Sequence, residues 1–330
     1  PPRSTLFPYT TLFRSVTFVD NGIDPDYALS PDERTVYSPP SDARVLFQNR
    51  LIYGGGSVLV GSEISKWSVF SFIESPTDSS PFSFSGIGGG RVNIKHLVDF
   101  GKLVILTDVA EFVAFGNEAG VITPTAINVR QQSAYGTYTT DPLVVDSTLF
   151  FVQAGGSVVR GYRYDISGDG YNGTDTTLFS SHLFRGYTID FWDFQRIPHN
   201  ILWAVRSDGT LLGFTYDKEN EMAAWHRHDF PGGIVEDVAV AKEGSKDRVY
   251  LVIRRTIDGR SVRYVERLSD RYQTDVRDFT FMDSHLTYDG RHTGTDTMTL
   301  SGGTTWAYDE TLTLTDRKST RLNSSHRIRS

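Results

Sequence analysis

The stretch Ile201-Leu-Trp-Ala-Val-Arg-Ser-Asp-Gly-Thr-Leu-Leu-Gly-Phe-Thr-Tyr216 decides how this chain folds. It reads as an apolar strand, a small-residue turn and a second apolar strand. Asp208-Gly209 supplies the positive φ that a tight hairpin turn requires. Four other segments share this grammar: Leu51 to Val60, Leu103 to Phe115, Leu149 to Tyr162 and Val249 to Val265, the last turning on Asp258-Gly259.

The five segments start at 51, 103, 149, 201 and 249, steps of 52, 46, 52 and 48 residues. A further strand-like run precedes each one: Val45 to Gln48, Ile94 to Val98, Leu143 to Val145, Ile189 to Phe194 and Val235 to Ala241. A weaker fourth run follows in places, as at Met222 to His228. Three or four antiparallel strands every fifty residues fit the blade of a β-propeller. One such sheet cannot bury both faces alone, so blades stack on one another. The expected fold is all-β and β-propeller-like, with a β-sandwich of irregular strand spacing as the alternative.

Composition agrees. The 330 residues include 30 Gly, 13 Pro, 21 Phe, 16 Tyr, 5 Trp and only 3 Met, which favours strands and turns over helices. There is no cysteine, so a disulfide framework and a thiolate metal site are excluded. No run approaches the roughly 18 apolar residues of a membrane-spanning helix, and a soluble protein is expected.

The two ends read differently from the rest. Residues 1–15 resemble an in-frame translation of a short-read sequencing adapter, and residues 316–330 resemble its partner. The genuine segment is then about Val16 to Thr315. The ends carry seven of the 33 basic residues and one of the 40 acidic ones, so a formal charge of −7 becomes −13 over the remainder. With no evident basic stripe, tight nucleic-acid binding is disfavoured. Within the segment, 16–42 reads as a loop-rich remnant of an upstream region, 43–268 as the propeller-like domain, and 269–315 as a truncated Thr/Gly-rich β module.

Candidate chemistry is sparse. Asp165-Ile-Ser-Gly-Asp-Gly-Tyr-Asn-Gly-Thr-Asp175 begins like an EF-hand calcium loop, but Thr176 stands where the closing bidentate carboxylate belongs. An inter-blade loop is the expectation there. His226 and His228 project from one face of a strand as two zinc ligands would, yet no third ligand is nominated, so a hydrogen-bonded aromatic strand at a blade edge is expected. Asp190 with Asp193, and Glu236 with Asp237, are carboxylate pairs that spacing alone cannot distinguish from a solvated acidic face. Gly86-Ile-Gly-Gly-Gly90 precedes a strand, so no helix N-terminus follows to hold a phosphate. Nucleophile-elbow, Walker and zincin motifs are absent. No catalytic residue, cofactor or metal ligand is assigned.

From about Val92 to Leu268 the chain resembles the tail nozzle (tail tubular protein B) family of short-tailed bacteriophages. The residues that carry the likeness are Leu103-Val-Ile-Leu-Thr, Ile122-Thr-Pro-Thr, Val129-Arg-Gln-Gln-Ser-Ala-Tyr-Gly136, Leu149-Phe-Phe-Val-Gln-Ala-Gly-Gly, Leu202 to Tyr216, Ala224-Trp-His-Arg-His228, Val252-Ile-Arg-Arg-Thr-Ile-Asp-Gly and Val262-Arg-Tyr-Val-Glu-Arg-Leu268, with Phe47 to Gly55 upstream. The resemblance implies a non-enzymatic virion protein that forms a ring, usually a hexamer, below the portal and adaptor. It implies contact with the head-to-tail adaptor and tail fibre proteins, assembly in the host cytoplasm, and transient passage of genomic DNA through a propeller-built tube. Two other classes stay open: a carbohydrate-binding or glycoside-hydrolysing propeller, motivated by the Trp, Tyr and acidic content, and a propeller scaffold for a protein partner.

Overall fold

The computed structural model describes residues 39–272 except 41, 73–74, 167–169 and 258, together with 284, 287–288, 297–300, 312–315 and 326–327. The adapter-like residues 1–15, the upstream remnant up to 38, Asp258, and most of 269–330 lie outside the described residues.

Five antiparallel meanders follow one another along the chain. Blade 1 comprises β1 (Ala43–Phe47), β2 (Arg50–Gly55), β3 (Val58–Gly61) and β4 (Phe82–Ser85). Blade 2 comprises β5 (Ile94–Asp99), β6 (Leu103–Thr107), β7 (Glu111–Phe115) and β8 (Asn128–Ser133). Blade 3 comprises β9 (Leu143–Val145), β10 (Thr148–Val152), β11 (Val159–Asp165) and β12 (Gly170–Asp175). Blade 4 comprises β13 (Ile189–Gln195), β14 (Ile201–Arg206), β15 (Leu211–Asp217) and β16 (Met222–His228). Blade 5 has three strands among the described residues, β17 (Gly233–Glu243), β18 (Lys246–Ile257) and β19 (Arg260–Arg267). Farther on, Thr297–Leu300 pairs antiparallel with Leu312–Thr315, and Thr287–Tyr288 with His326–Arg327.

Every residue of β6, β10 and β14 is buried, which a strand with one solvated face would not show. The reason lies in the period of two. On β6, Leu103 and Ile105 join the core shared with blade 1, while Val104 and Leu106 join the core shared with blade 3. On β10, Leu149 and Phe151 face blade 2, and Phe150 and Val152 face blade 4. On β14, Leu202 and Ala204 turn to blade 3, and Ile201, Trp203 and Val205 to blade 5. Four cores therefore separate five sheets, one between each consecutive pair. First strands meet across these cores, β1 with β5, β9 with β13 and β13 with β17. This is a propeller-like all-β fold. A sandwich, with one core between two sheets, does not fit it.

Each junction carries the same backbone tie. The chain entering a new blade donates an N–H to the β2–β3-type turn, or the strand end beside it, of the blade before. Ile94 donates to Gly56 O (2.8 Å), Thr137 to Thr107 O (2.7 Å), Ile189 to Gly156 O (2.9 Å) and Val235 to Gly209 O (3.0 Å). The turn glycines thus do two jobs. Gly209 has φ 83° and Gly156 has φ 81°, the left-handed region open to glycine. A Cβ on Gly209 would also lie 2.2 Å from Ile234 Cγ2, and one on Gly156 would lie 2.5 Å from Thr188 Cγ2.

Gly209→Ala is therefore expected to cost about 3 kcal/mol of stability through combined backbone strain and overpacking. Gly244→Ala, whose φ is 61° with open space at Cβ, carries the backbone term alone, about 1 kcal/mol. Urea unfolding of both variants checks the difference, and equal losses would refute the packing contribution.

Candidate functional site

The two histidines of β16 share a face and touch. His228 Nε2 lies 3.0 Å from His226 Nδ1, and His226 Nε2 lies 3.3 Å from Thr215 Oγ1. β16 is the outer strand of blade 4, and the pair packs on Trp203, with ring centroids 6.0 and 5.0 Å away. Gly213 faces His226 across the ladder because any Cβ there would sit 2.0 Å from the imidazole. A cleft of about 190 Å³ lies against His228, walled by Thr210, Asp229 and Phe230. Burial pushes the His228 ring down to about 4, with His226 and Arg271 adding to the depression and Asp229 opposing it. His226 is lowered too, by burial and then Arg271. Among the described residues no group of three or more His, Asp or Glu side chains converges as a metal site.

The carboxylate pairs separate. Asp193 reaches into the next blade and accepts the Val240 N–H at 2.6 Å, whereas Asp190 accepts the Thr188 hydroxyl at 2.8 Å. Glu236 bridges Arg254 (2.7 Å) and Arg263 (2.5 Å), while Asp237 accepts the Val238 N–H. Neither pair converges on a shared proton. Within the segment Gly86–Gly90, Ile87–Gly90 forms a single 3-10 turn, with φ between 58 and 85° at Gly86, Gly88, Gly89 and Gly90, and β5 follows from Ile94.

The expectation of an inter-blade loop over Asp165–Asp175 is corrected. Asp165 ends β11, and Gly170–Asp175 is β12, the outer strand of the same blade, paired from Asp165↔Gly170 to Arg160↔Asp175. A segment of Gly, Asn, Thr and Asp forms a strand here because only Tyr171 and Gly173 turn inward, and both are buried. Ser167, Gly168 and Asp169 lie outside the described residues.

Two features escape sequence reading. The first is Glu111 of β7, which is fully buried. One carboxylate oxygen accepts Ser133 Oγ at 2.5 Å and the Tyr135 N–H at 3.2 Å, and the other has no partner among the described residues. Burial raises its pKa, and those hydrogen bonds pull it only partly back. Ser133 Oγ also meets Tyr162 Oη at 3.1 Å, and burial raises the tyrosine as well.

The second is a cleft of about 540 Å³ at the end of blade 3, a volume within the usual range of ligand sites. Its polar walls come from three blades: Asp99 at the end of β5, Asp146 in the β9–β10 turn, Arg163 on β11, and Lys218 after β15. Lys218 Nζ donates to Ser147 Oγ at 2.7 Å. Tyr164, 42% exposed, forms the aromatic wall with Tyr171. Tyr164 meets Tyr171 edge-on at 5.3 Å, and Tyr171 stacks on Tyr162 at 5.4 Å. Lys102 Nζ sits 5.0 Å from the Tyr164 ring centre.

No family model matches this chain, and no curated protein does. Solved structures of similar shape include an auxiliary nutrient binding protein from Bacteroides thetaiotaomicron (11% identity, 68% of this chain and 57% of that one, TM-score 0.37). Chaetomium thermophilum Raptor also appears (12% identity, 75% of this chain and 21% of that one, TM-score 0.40), as does the N-terminal domain of Nup159 (10% identity, 80% and 68%, TM-score 0.36). This chain spans little more than half of the first of these and about a fifth of the second. Similarity at this level carries no inference about activity. No helix among the described residues is long and apolar enough to cross a membrane.

The depressed histidines make stability pH-dependent. Their folded values lie below the ordinary 6.5, so their contribution is full above that pH and is lost as the pH falls toward about 4. Melting temperature should drop across that window, and His228→Gln should flatten the drop; an unchanged slope would contradict it. Glu111 has the opposite sign. Its contribution is full below the ordinary 4.5 and is lost as pH rises through its elevated folded value. Glu111→Gln should therefore raise the melting temperature at pH 7 and leave it little changed at pH 4, as calorimetry at the two pH values will show.

Proposed function

We propose that this chain is a structural subunit of the tail nozzle of a short-tailed bacteriophage, a ring homo-oligomer of six copies that conducts the genome into the host. The observation that carries the reading is the coincidence of fold and resemblance. The stretches that resemble the family fall on blade strands or the turns beside them, and the family's implied fold is a propeller. Leu103–Thr107 is β6, Leu202 to Tyr216 spans β14 and β15, Ala224 to His228 lies on β16, and Val262 to Arg267 lies on β19.

The electrostatics support a conduit. A protein that neutralises many phosphates binds DNA through counterion release, and such affinity would stall a passing genome. A charge of −13 over about Val16 to Thr315 works against that capture. In this reading the chain has no catalytic role, its partners are copies of itself, the head-to-tail adaptor and tail fibre proteins, and its place is the virion tail after assembly in the host cytoplasm.

Sedimentation and electron microscopy of the protein with its flanking sequence intact should show closed rings. A strictly monomeric particle would refute the assignment. Mobility-shift titration with double-stranded DNA at physiological salt should show no tight complex, and a salt-sensitive complex of high affinity would exclude an unimpeded conduit.

A further inference from the structure

We propose that His226 and His228 form a two-nitrogen chelate for a divalent transition metal, with copper(II) the preferred ion. The two side chains stand at i and i+2 of β16, on one face, and His226 Nδ1 lies 3.0 Å from His228 Nε2. A metal–nitrogen bond is about 2.0–2.1 Å, so nitrogens at that separation subtend about 91–97° at an ion held by both. Tetrahedral zinc would spread the same pair to about 3.3–3.4 Å. Square-planar and tetragonal ions keep neighbouring ligands about 90° apart, the geometry of copper(II) and nickel(II), and copper(II) is the tighter binder of the two.

The tautomers permit the exchange. In the metal-free pair one hydrogen lies between the two nitrogens. A chelate needs a lone pair from each, so that hydrogen moves to the far nitrogen of its own ring. For His226 the far nitrogen, Nε2, faces Thr215 Oγ1 at 3.3 Å, and a hydroxyl accepts as readily as it donates. Thr215 is then a positioning residue that fixes the ligating tautomer, as the outer partners of metal-bound histidines do. Burial disfavours the charged form of both rings, so at neutral pH neither has a proton to surrender. Both rings are also set before an ion arrives. Trp203 packs on them with centroids 6.0 and 5.0 Å away, and Gly213 leaves the space that the His226 ring fills. Groups held in advance lose little freedom on binding. The cleft of about 190 Å³ beside His228 has room for the waters that complete the plane, each occupying about 30 Å³. Asp229, paired with Arg227, and Arg271 act on the histidines with opposite sign, so ligation rather than the local field sets the affinity. With two protein nitrogens and no third ligand among the described residues, binding in the micromolar range is expected.

The site is independent of the conduit reading, since a monomer and a ring would carry it alike. Calorimetric titration of the intact chain with copper(II) sulfate at pH 7 tests it, with nickel(II) and zinc(II) as competitors. One strongest site per chain is expected, holding copper(II) more tightly than either competitor. His226→Gln and His228→Gln should each weaken it by about tenfold or more. The double variant should bind no more weakly than either single one, because a chelate is lost with its first arm. His182→Gln, which removes an exposed histidine from the turn between blades 3 and 4, should leave the site unchanged. Electron paramagnetic resonance of the one-to-one copper(II) complex of the unaltered chain should show two equatorial nitrogen donors, so a misfolded variant does not leave the question open. Fewer than two nitrogens, zinc(II) held as tightly as copper(II), or unchanged affinity in both single variants would each overturn the proposal.

Discussion

A β-sheet that is apolar on both faces has no stable existence by itself. The middle strands β6, β10 and β14 each present alternate side chains to two different neighbours, so these blades are completed only by the blades beside them. Burying one Leu, Phe or Val side chain contributes about 1.5–3 kcal/mol. On β10 alone, Leu149 and Phe151 spend that contribution on one side, and Phe150 and Val152 on the other. Stability is therefore shared along the stack, and inner blades are held from two sides. Among the described residues the end blades share a core on one side: of blade 5, Val249, Leu251 and Ile253 lie in a shared core, while Tyr250 and Val252 on the other face are only partly covered.

Polar groups set the register of that stack. Hydrophobic contact is non-directional, whereas the backbone tie at each junction has one geometry. Side chains repeat the message. Thr148 Oγ1 meets Tyr216 Oη at 2.9 Å between blades 3 and 4, Trp225 Nε1 donates to Thr176 O at 3.1 Å, and Gln195 Nε2 donates to Asp247 O at 2.9 Å between blades 4 and 5. Arg206 closes the blade 4 turn on Asp208, holding that carboxyl at about 2, and donates to Leu183 O at 2.6 Å while stacking on Tyr187 at 3.8 Å. Arg50, buried to 1% exposure, draws the excursion between β3 and β4 onto blade 1 through the carbonyls of Ser62, Asp78 and Ser80.

The inner strands were legible because burial on both faces writes an unbroken apolar run. Leu143–Val145 falls where the sequence pattern puts it, as does Met222–His228 on the outer edge of blade 4, and the other inner strands agree within three residues. The outer strands Phe82–Ser85, Asn128–Ser133 and Gly170–Asp175 were not legible, since a strand half in water needs only one or two inward residues and otherwise has the composition of a turn. Arg50 and Glu111 look like surface residues in sequence, and nothing nearby announces the carbonyls or hydroxyl that surround them. The histidine pair was visible because i and i+2 on a strand share a face. The cleft was not: Asp99 and Lys218 lie more than a hundred residues apart and come together only through the order of the blades.

The outer edge of β19 has one further implication. Among the described residues no strand pairs with it, and a row of free backbone donors and acceptors is an invitation to strand addition. Its side chains include Arg260, Arg263 and Arg267, with Arg263 tied back to Glu236 and Arg267 to Glu243. An apolar segment laid along this edge would have to strip water from those ion pairs. Charged side chains held in ion pairs along an unpaired edge are the means by which a sheet resists pairing with the featureless β-segments that seed fibres.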